Sequence, residues 1–242
     1  MVTEEVIKSG ELYDASDSEL YEVQWRYNDL MYEYNHTRPS NRRKQQEILK
    51  ELLGELGDVK IVQLNYSQYS RRYDLFKEGQ VLPVFDPRKS GGALMDLNVY
   101  NIHYVTGLFG KPENIHYMAN IQRGIDTSGI LTMEYPSFKC VCVGAKDCKA
   151  PVSINVQGDK GFIHSDDPAN VYGSFTFARN GGQPETYGLN EGLPRLYHEL
   201  KVFADMVTGK DYKAADEYNR HTLEVMEILD KARRQVGIDF GV

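Results

Sequence analysis

The sequence predicts an α+β fold: a largely antiparallel open sheet with flanking helices, preceded by an N-terminal helical hairpin. Three observations predict it. Apolar residues keep helical spacing through residues 1–56, the period changes to two from Val59, and helical spacing returns from Leu193 to the end. Between Asn114 and Ala178 the strand-like runs follow one another with no helix interleaved. Parallel neighbours need crossover helices, so such a run favours antiparallel pairing.

Taken in order, Ser16 or Asp17 can cap a first helix in which Leu20, Val23, Tyr27, Leu30, Met31 and Tyr34 share a face. Asn35 to Pro39 breaks it, and a second helix runs from about Ser40 to Leu53. Each is short and one-sided, so the two should pack on each other or on a neighbour. Strands follow in VKIVQLNYSQY, NIHYMANIQ, GILTMEY, FKCVCVGA, PVSINVQG, GFIHS and VYGSFTFA. One helix, Ser90 to Gly107, comes after the first of these runs. Helices over Leu193–Val207 and Ala214–Val236 close the chain. The expected organisation is a helical segment, 1–56, and an α+β domain, 57–242.

The formal net charge is -7 with acids and bases interspersed, which argues against nucleic acid or an anionic membrane surface as the partner. No run approaches the roughly 18 apolar residues of a membrane span, and the N-terminal residues lack the apolar core of a signal peptide. A cytoplasmic protein with a small-molecule partner is expected. Cys140, Cys142 and Cys148 lack the spacing and the fourth ligand of a zinc site, so no metal is expected. Cys140 and Cys142 should share the buried face of a strand.

The stretch SGGALMDLNVYNIHYVTGLFG, Ser90 to Gly110, carries the candidate site. On an ideal helix Met95, Val99, Ile102, Val105 and Phe109 form an apolar stripe, while Asp96, Tyr100 and His103 stack beside it at i, i+4 and i+7. A carboxylate next to a phenol can hold and orient a hydroxyl group. Its alternative is a surface hydrogen bond between helix neighbours. His103 reads either as a ligand contact or as a hydrogen-bonded structural histidine. Arg123, Asp126, Thr127 and Ser128 in QRGIDTSG read as a polar turn, either bordering the same cleft or simply closing a hairpin. The 17 tyrosines suit ring stacking on a sugar, although most should cover the sheet.

Two resemblances bear on function. GELGDVKIVQL at Gly54 to Leu64, FDPRKSGGALMDLNVYNIHYVTGLFGKP at Phe85 to Pro112, INVQGDKGFI at Ile154 to Ile163, and the closing ILDKARRQVGIDF resemble the C-terminal domain of Gfo/Idh/MocA oxidoreductases. In that family a Rossmann domain binds NAD(P), and the C-terminal sheet covers the substrate cleft and mediates oligomerisation. The resemblance implies that Asp96 and Tyr100 occupy the catalytic positions of the C-terminal domain, where many members have histidine in place of Tyr100. It also implies a homo-oligomer through the sheet face and a sugar or polyol substrate. SGELYDASDSEL at Ser9 to Leu20, YNHTRP at Tyr34 to Pro39 and ILKELLGELG resemble the N-terminal segment of maltose and other sugar O-acetyltransferases.

Each resemblance comes without its other half. No GxGxxG turn occurs in the 242 residues, nor a counterpart of the family's EKP lysine, so no cofactor is expected to bind this chain. NAD(P) is implied only with a separate Rossmann chain. No hexapeptide repeat is present to build an acetyltransferase β-helix. The expectation is a hybrid joined between Gln45 and Gly57. It would be the substrate-binding and oligomerisation half of an oxidoreductase, expected to be inactive alone. Its rivals are a sugar acetyltransferase relative and a non-enzymatic binding module.

Overall fold

The computed structural model describes residues 29–30, 51, 53–171, 173–188 and 193–241. The expected hairpin over residues 1–56 lies almost wholly outside these. An eight-stranded sheet dominates the remainder. Its strands are β1 (Val59–Ser67), β2 (Asn114–Gln122), β3 (Ile125–Glu134), β4 (Lys139–Ala145), β5 (Ser153–Gly158), β6 (Gly161–Ser165), β7 (Ser174–Arg179) and β8 (Glu185–Gly188). They lie in the order β2-β3-β4-β1-β5-β6-β7-β8. Six of the seven pairings are antiparallel, and β1 with β4 is the parallel exception.

That exception follows from the connection. β1 leaves through helix α1 (Arg71–Lys77) and two short 3₁₀ turns, Pro83–Phe85 and Pro87–Lys89. A π-helical turn, Leu94–Asn98, then runs into helix α2 (Val99–Phe109), which crosses the sheet to its edge at β2. The meander β2-β3-β4 returns to β1, and a crossover of this length permits parallel pairing. Residues Arg123 and Gly124 both have positive φ, the signature of a two-residue hairpin turn joining β2 to β3. The turn is therefore shorter than QRGIDTSG suggested, and Asp126, Thr127 and Ser128 belong to β3.

Among the described residues, helices α2, α3 (Tyr197–Gly209) and α4 (Tyr212–Gln235) accompany the sheet. Alternation along the strands turns Val62, Leu64, Cys140, Cys142, Ile154 and Val156 to one face, where Ile102 and Val105 of α2 and Val225, Ile228, Leu229 and Ala232 of α4 cover them. Cys140 and Cys142 are buried side by side with sulfurs 3.8 Å apart, as their spacing implied. Among the described residues, no helix covers the opposite face of the sheet. Met118, Ile130, Val143 and Asn65 lie in register across four strands on that face, and Ile61, Gln157 and Phe162 form a second row. Met118, Ile130, Ile61 and Phe162 are all exposed there. A second exposed apolar stripe, Leu200, Phe203 and Val207, runs along α3, with Leu196 just before it.

Candidate functional site

The π-helical turn that leads into α2 approaches β4 closely, because Gly144 leaves no side chain between them: a Cβ there would lie 2.9 Å from Asn98 Cβ. Two buried asparagines stitch the contact. Asn98 Nδ2 donates to the Cys142 carbonyl at 3.2 Å, and Asn101 Nδ2 donates to Asn98 Oδ1 at 2.9 Å and to the Val143 carbonyl at 3.1 Å. Polar groups removed from water need such partners. The π-helical turn just before α2 changes the register of the side chains that an ideal helix would align. Leu94, Leu97, Ile102 and Val105 are the buried apolar positions, while Met95, Val99 and Phe109 pack at the margin of the core.

The start of this turn is clamped by Asp126. Its Oδ2 accepts the Leu94 backbone N–H at 2.6 Å and the Tyr117 hydroxyl at 2.7 Å. Gly92, at φ +103°, makes room for that carboxyl, since a Cβ on Gly92 would collide with Asp126 Oδ1. Gly91 is tight as well, with a Cβ position 2.7 Å from the Pro83 carbonyl oxygen. Burial raises the Asp126 pKa to about 6 against the lowering effect of its hydrogen bonds, and burial beside Asp126 pushes the Tyr117 phenol well above its ordinary value.

Asp96, Tyr100 and His103 each turn to a different part of the fold. Lys146 Nζ donates to Asp96 Oδ2 at 2.6 Å and to the Val84 carbonyl at 2.9 Å, and it sits 4.7 Å from the centre of the Phe85 ring. The lysine side chain is 2% exposed, whereas that of Asp96 is 45% exposed. Burial lowers the Lys146 pKa, and the Asp96 carboxylate opposes that shift. Tyr100, 40% exposed, has its ring centre 6.0 Å from Tyr66 at the end of β1. The alternative reading, a hydrogen bond between helix neighbours with Asp96 accepting from the Tyr100 hydroxyl, gives way to the ion pair with Lys146.

His103 Nδ1 lies 3.2 Å from His221 Nε2 on α4, and burial, helped by the second imidazole, lowers its pKa. Arg123 donates to the Phe76 and Lys77 carbonyls at the end of α1 and stacks over the Phe76 ring. Thr127 and Ser128 hydroxyls donate to Asp147 Oδ2 at 2.7 and 2.9 Å. Asp126 thus supports the helix carrying Asp96 from beneath, whereas Arg123 is committed to closing α1. Lys146 is the residue that sequence reasoning missed. Its signal was the period of two along Cys140, Cys142 and Gly144, which continues inward to position 146.

These residues do not fit a dinucleotide phosphate. The strand-to-helix passage from β1 to α1, Gln68-Tyr69-Ser70, has no glycine. At Gly91-Gly92 the space that glycine frees is taken by the Pro83 backbone and the Asp126 carboxyl, which would repel an anion. Among the described residues, no group of three or more His, Cys, Asp or Glu side chains could hold a metal. No helix there is long and apolar enough to cross a membrane.

Residues 43–164 match the family model of the GFO/IDH/MocA C-terminal domain, and residues 7–57 match the maltose acetyltransferase hexapeptide capping motif. The chain is 30% identical over 196 residues to scyllo-inositol 2-dehydrogenase (NADP(+)) IolU of Bacillus subtilis (strain 168), covering 78% of this chain and 58% of the relative. It is 24% identical over 212 residues to trans-1,2-dihydrobenzene-1,2-diol dehydrogenase of Mus musculus, covering 80% of this chain and 59% of the relative. It therefore spans under two thirds of the length of these relatives. The crystal structure of an inositol dehydrogenase homolog complexed with NAD+ from Azotobacter vinelandii shares the fold at 13% identity, with a TM-score of 0.60 over 84% of this chain and 61% of that one. The α+β architecture, the packing of α2 on the sheet and the family match lead to one conclusion: the chain belongs to the GFO/IDH/MocA family, through that family's C-terminal domain.

Proposed function

We propose that residues 57–242 are the substrate-binding and oligomerisation half of an NAD(P)-dependent oxidoreductase acting on a sugar, polyol or related hydroxy compound. A separate dinucleotide-binding domain completes the enzyme, which works in the cytoplasm. The observation that carries this reading is an exposed carboxylate, Asp96, held by a buried lysine on the helix that also presents Tyr100 to solvent. Names of relatives that act on inositol and on a dihydrodiol support a ligand with neighbouring hydroxyls.

In this reading Asp96 accepts a hydrogen bond from one ligand hydroxyl, Tyr100 engages another, and Tyr66 offers a ring face beside them. These groups bind and orient an alcohol. The 242 residues alone are expected to oxidise none, because at Gly91-Gly92 the space a pyrophosphate would need is taken by the Pro83 backbone and the Asp126 carboxyl. A hydrogen bond to a charged group contributes about 1.5–3 kcal/mol, roughly ten- to a hundredfold in affinity. Asp96→Asn should therefore weaken scyllo-inositol binding, measured calorimetrically, by about tenfold or more, and Tyr100→Phe by somewhat less. Undiminished affinity in both variants would exclude this site, and turnover of an alcohol by the chain with NAD+ or NADP+ alone would exclude the divided enzyme.

The oligomer forms through the open sheet face, where exposed apolar side chains in register make a surface suited to a second copy. Ile130→Glu, set opposite Met118 in the middle of that face, should shift sedimentation to the monomer while the far-ultraviolet spectrum stays unchanged. An unchanged oligomer would place the contact elsewhere. A second reading, a sugar O-acetyltransferase relative, draws on the match over residues 7–57. Acetyl transfer from acetyl-CoA to maltose tests it directly.

A further inference from the structure

We infer that Lys146 is a positioning residue, a buried cation that fixes the Asp96 carboxylate in place for a ligand hydroxyl. The inference rests on the reading of Asp96 as a ligand-binding group.

The backbone at position 146 is held from two sides. Its N–H donates to the Thr127 carbonyl at 2.8 Å, and its carbonyl accepts from the Ser70 N–H at 2.9 Å. β3 and the loop after β1 thereby fix where the side chain starts. At the other end, the ammonium donates to Val84 and to Asp96 and rests on the Phe85 ring. An ammonium has three N–H donors, and these neighbours occupy its surroundings. With its side chain 2% exposed, Lys146 is enclosed by protein and does not itself meet a ligand.

The charged neighbours of Lys146 are Asp96, Asp126 and, on α1, Arg72. Asp126 is already committed to Leu94 and Tyr117, so Asp96 is the carboxylate that Lys146 directly holds. A carboxylate has two oxygens and about four acceptor sites. The lysine takes one site on Oδ2, and the rest of a side chain that is 45% exposed remains for solvent or ligand. An ion pair with one half-exposed partner gives little net stability, because solvent screens it. Retaining one beneath an exposed carboxylate on the site helix fits a role in positioning better than one in folding.

The test is a double-mutant cycle on the 242-residue chain with scyllo-inositol as probe, read as dissociation constants and thermal midpoints. Lys146→Met keeps the length and packs on Phe85 without charge; Lys146→Gln keeps a donor for Val84 and provides a second variant should the first fold poorly. Either substitution should weaken binding at least tenfold, while the midpoint of Lys146→Gln stays within about 4 °C of wild type, because the carboxylate left unpaired is 45% exposed and stays hydrated. Placed in the Asp96→Asn background, neither should weaken binding further, because Lys146 acts only through Asp96. Wild-type affinity in both lysine variants, or an equal further loss in the Asp96→Asn background, overturns the inference. Failure of the underlying reading looks different: wild type then binds no probe, or Asp96→Asn binds as well as wild type, and both proposals fall together.

Discussion

Gly92→Ala should destabilise the protein by about 3 kcal/mol or more, from a strained positive φ of about 1–3 kcal/mol and overpacking of similar size. At φ +103° a side chain is poorly tolerated, and the new methyl would strike Asp126 Oδ1. Relief would have to come from the Asp126 carboxyl, which is fixed by Leu94 and Tyr117, or from the backbone of the turn that precedes Asp96. Either movement disturbs the candidate site, so probe binding should weaken along with stability. Gly107→Ala is the matched control. Gly107 is helical, with nothing within 4 Å of its Cβ position, and it should gain roughly 0.5–1 kcal/mol. Urea denaturation decides: if Gly92→Ala unfolds within about 1 kcal/mol of wild type, the clamp on Asp126 does not exist as described.

The second large effect is a pH dependence. Asp126 has a pKa of about 6 in the fold, against 3.8 for an ordinary aspartate. The native state therefore holds the proton more tightly than the unfolded chain does. Its contribution to stability is full below pH 4 and is lost as pH rises through 6. At about 1.36 kcal/mol per pKa unit, the loss across that window is about 3 kcal/mol. Asp126→Asn retains an oxygen acceptor for Leu94 and Tyr117 but has no proton to lose. The stability difference, variant minus wild type, should rise by about 2 kcal/mol or a little more between pH 4 and pH 7, with the variant gaining. Taking the difference cancels the titration of His103 and other groups common to both proteins. A difference that stays flat would mean that Asp126 is ionised in the fold throughout.

How far these features were legible depends on how local their causes are. The strands NIHYMANIQ and GFIHS end where their patterns do, at Asn114–Gln122 and Gly161–Ser165, because turn residues bound them on both sides. Helix α1, directly after the first strand-like run, was not read, since RRYDLFK is too short for a helical period to show. β8 has only four residues, too few to display alternation. The site was partly legible for a related reason. Asp96 and Tyr100 could be found because both lie on one helix, but their alignment assumed 3.6 residues per turn. The π-helical turn at Leu94–Asn98 sends Asp96 to Lys146 and leaves Tyr100 beside Tyr66. A π-helical turn depends on tertiary packing, here the clamp from Asp126, which lies 32 positions from Leu94. Lys146 was obscured by its neighbours: GAKDCKAP has the composition of a surface loop, and only the inward parity carried over from Cys142 marks the lysine as buried.

The single parallel pairing has a kinetic consequence. β1 precedes every other strand in the chain yet lies fourth across the sheet, between β4 and β5. The β2-β3-β4 ribbon and the β5-β8 ribbon can each assemble from neighbouring hairpins, but neither finds the other until this early strand slots between them. Closing a loop as long as the one from Leu64 to Cys142 comes before its reward. Refolding should then show a fast phase that forms both ribbons and a slow one that unites them, and substitutions at Val62 or Leu64 should retard the slow phase alone.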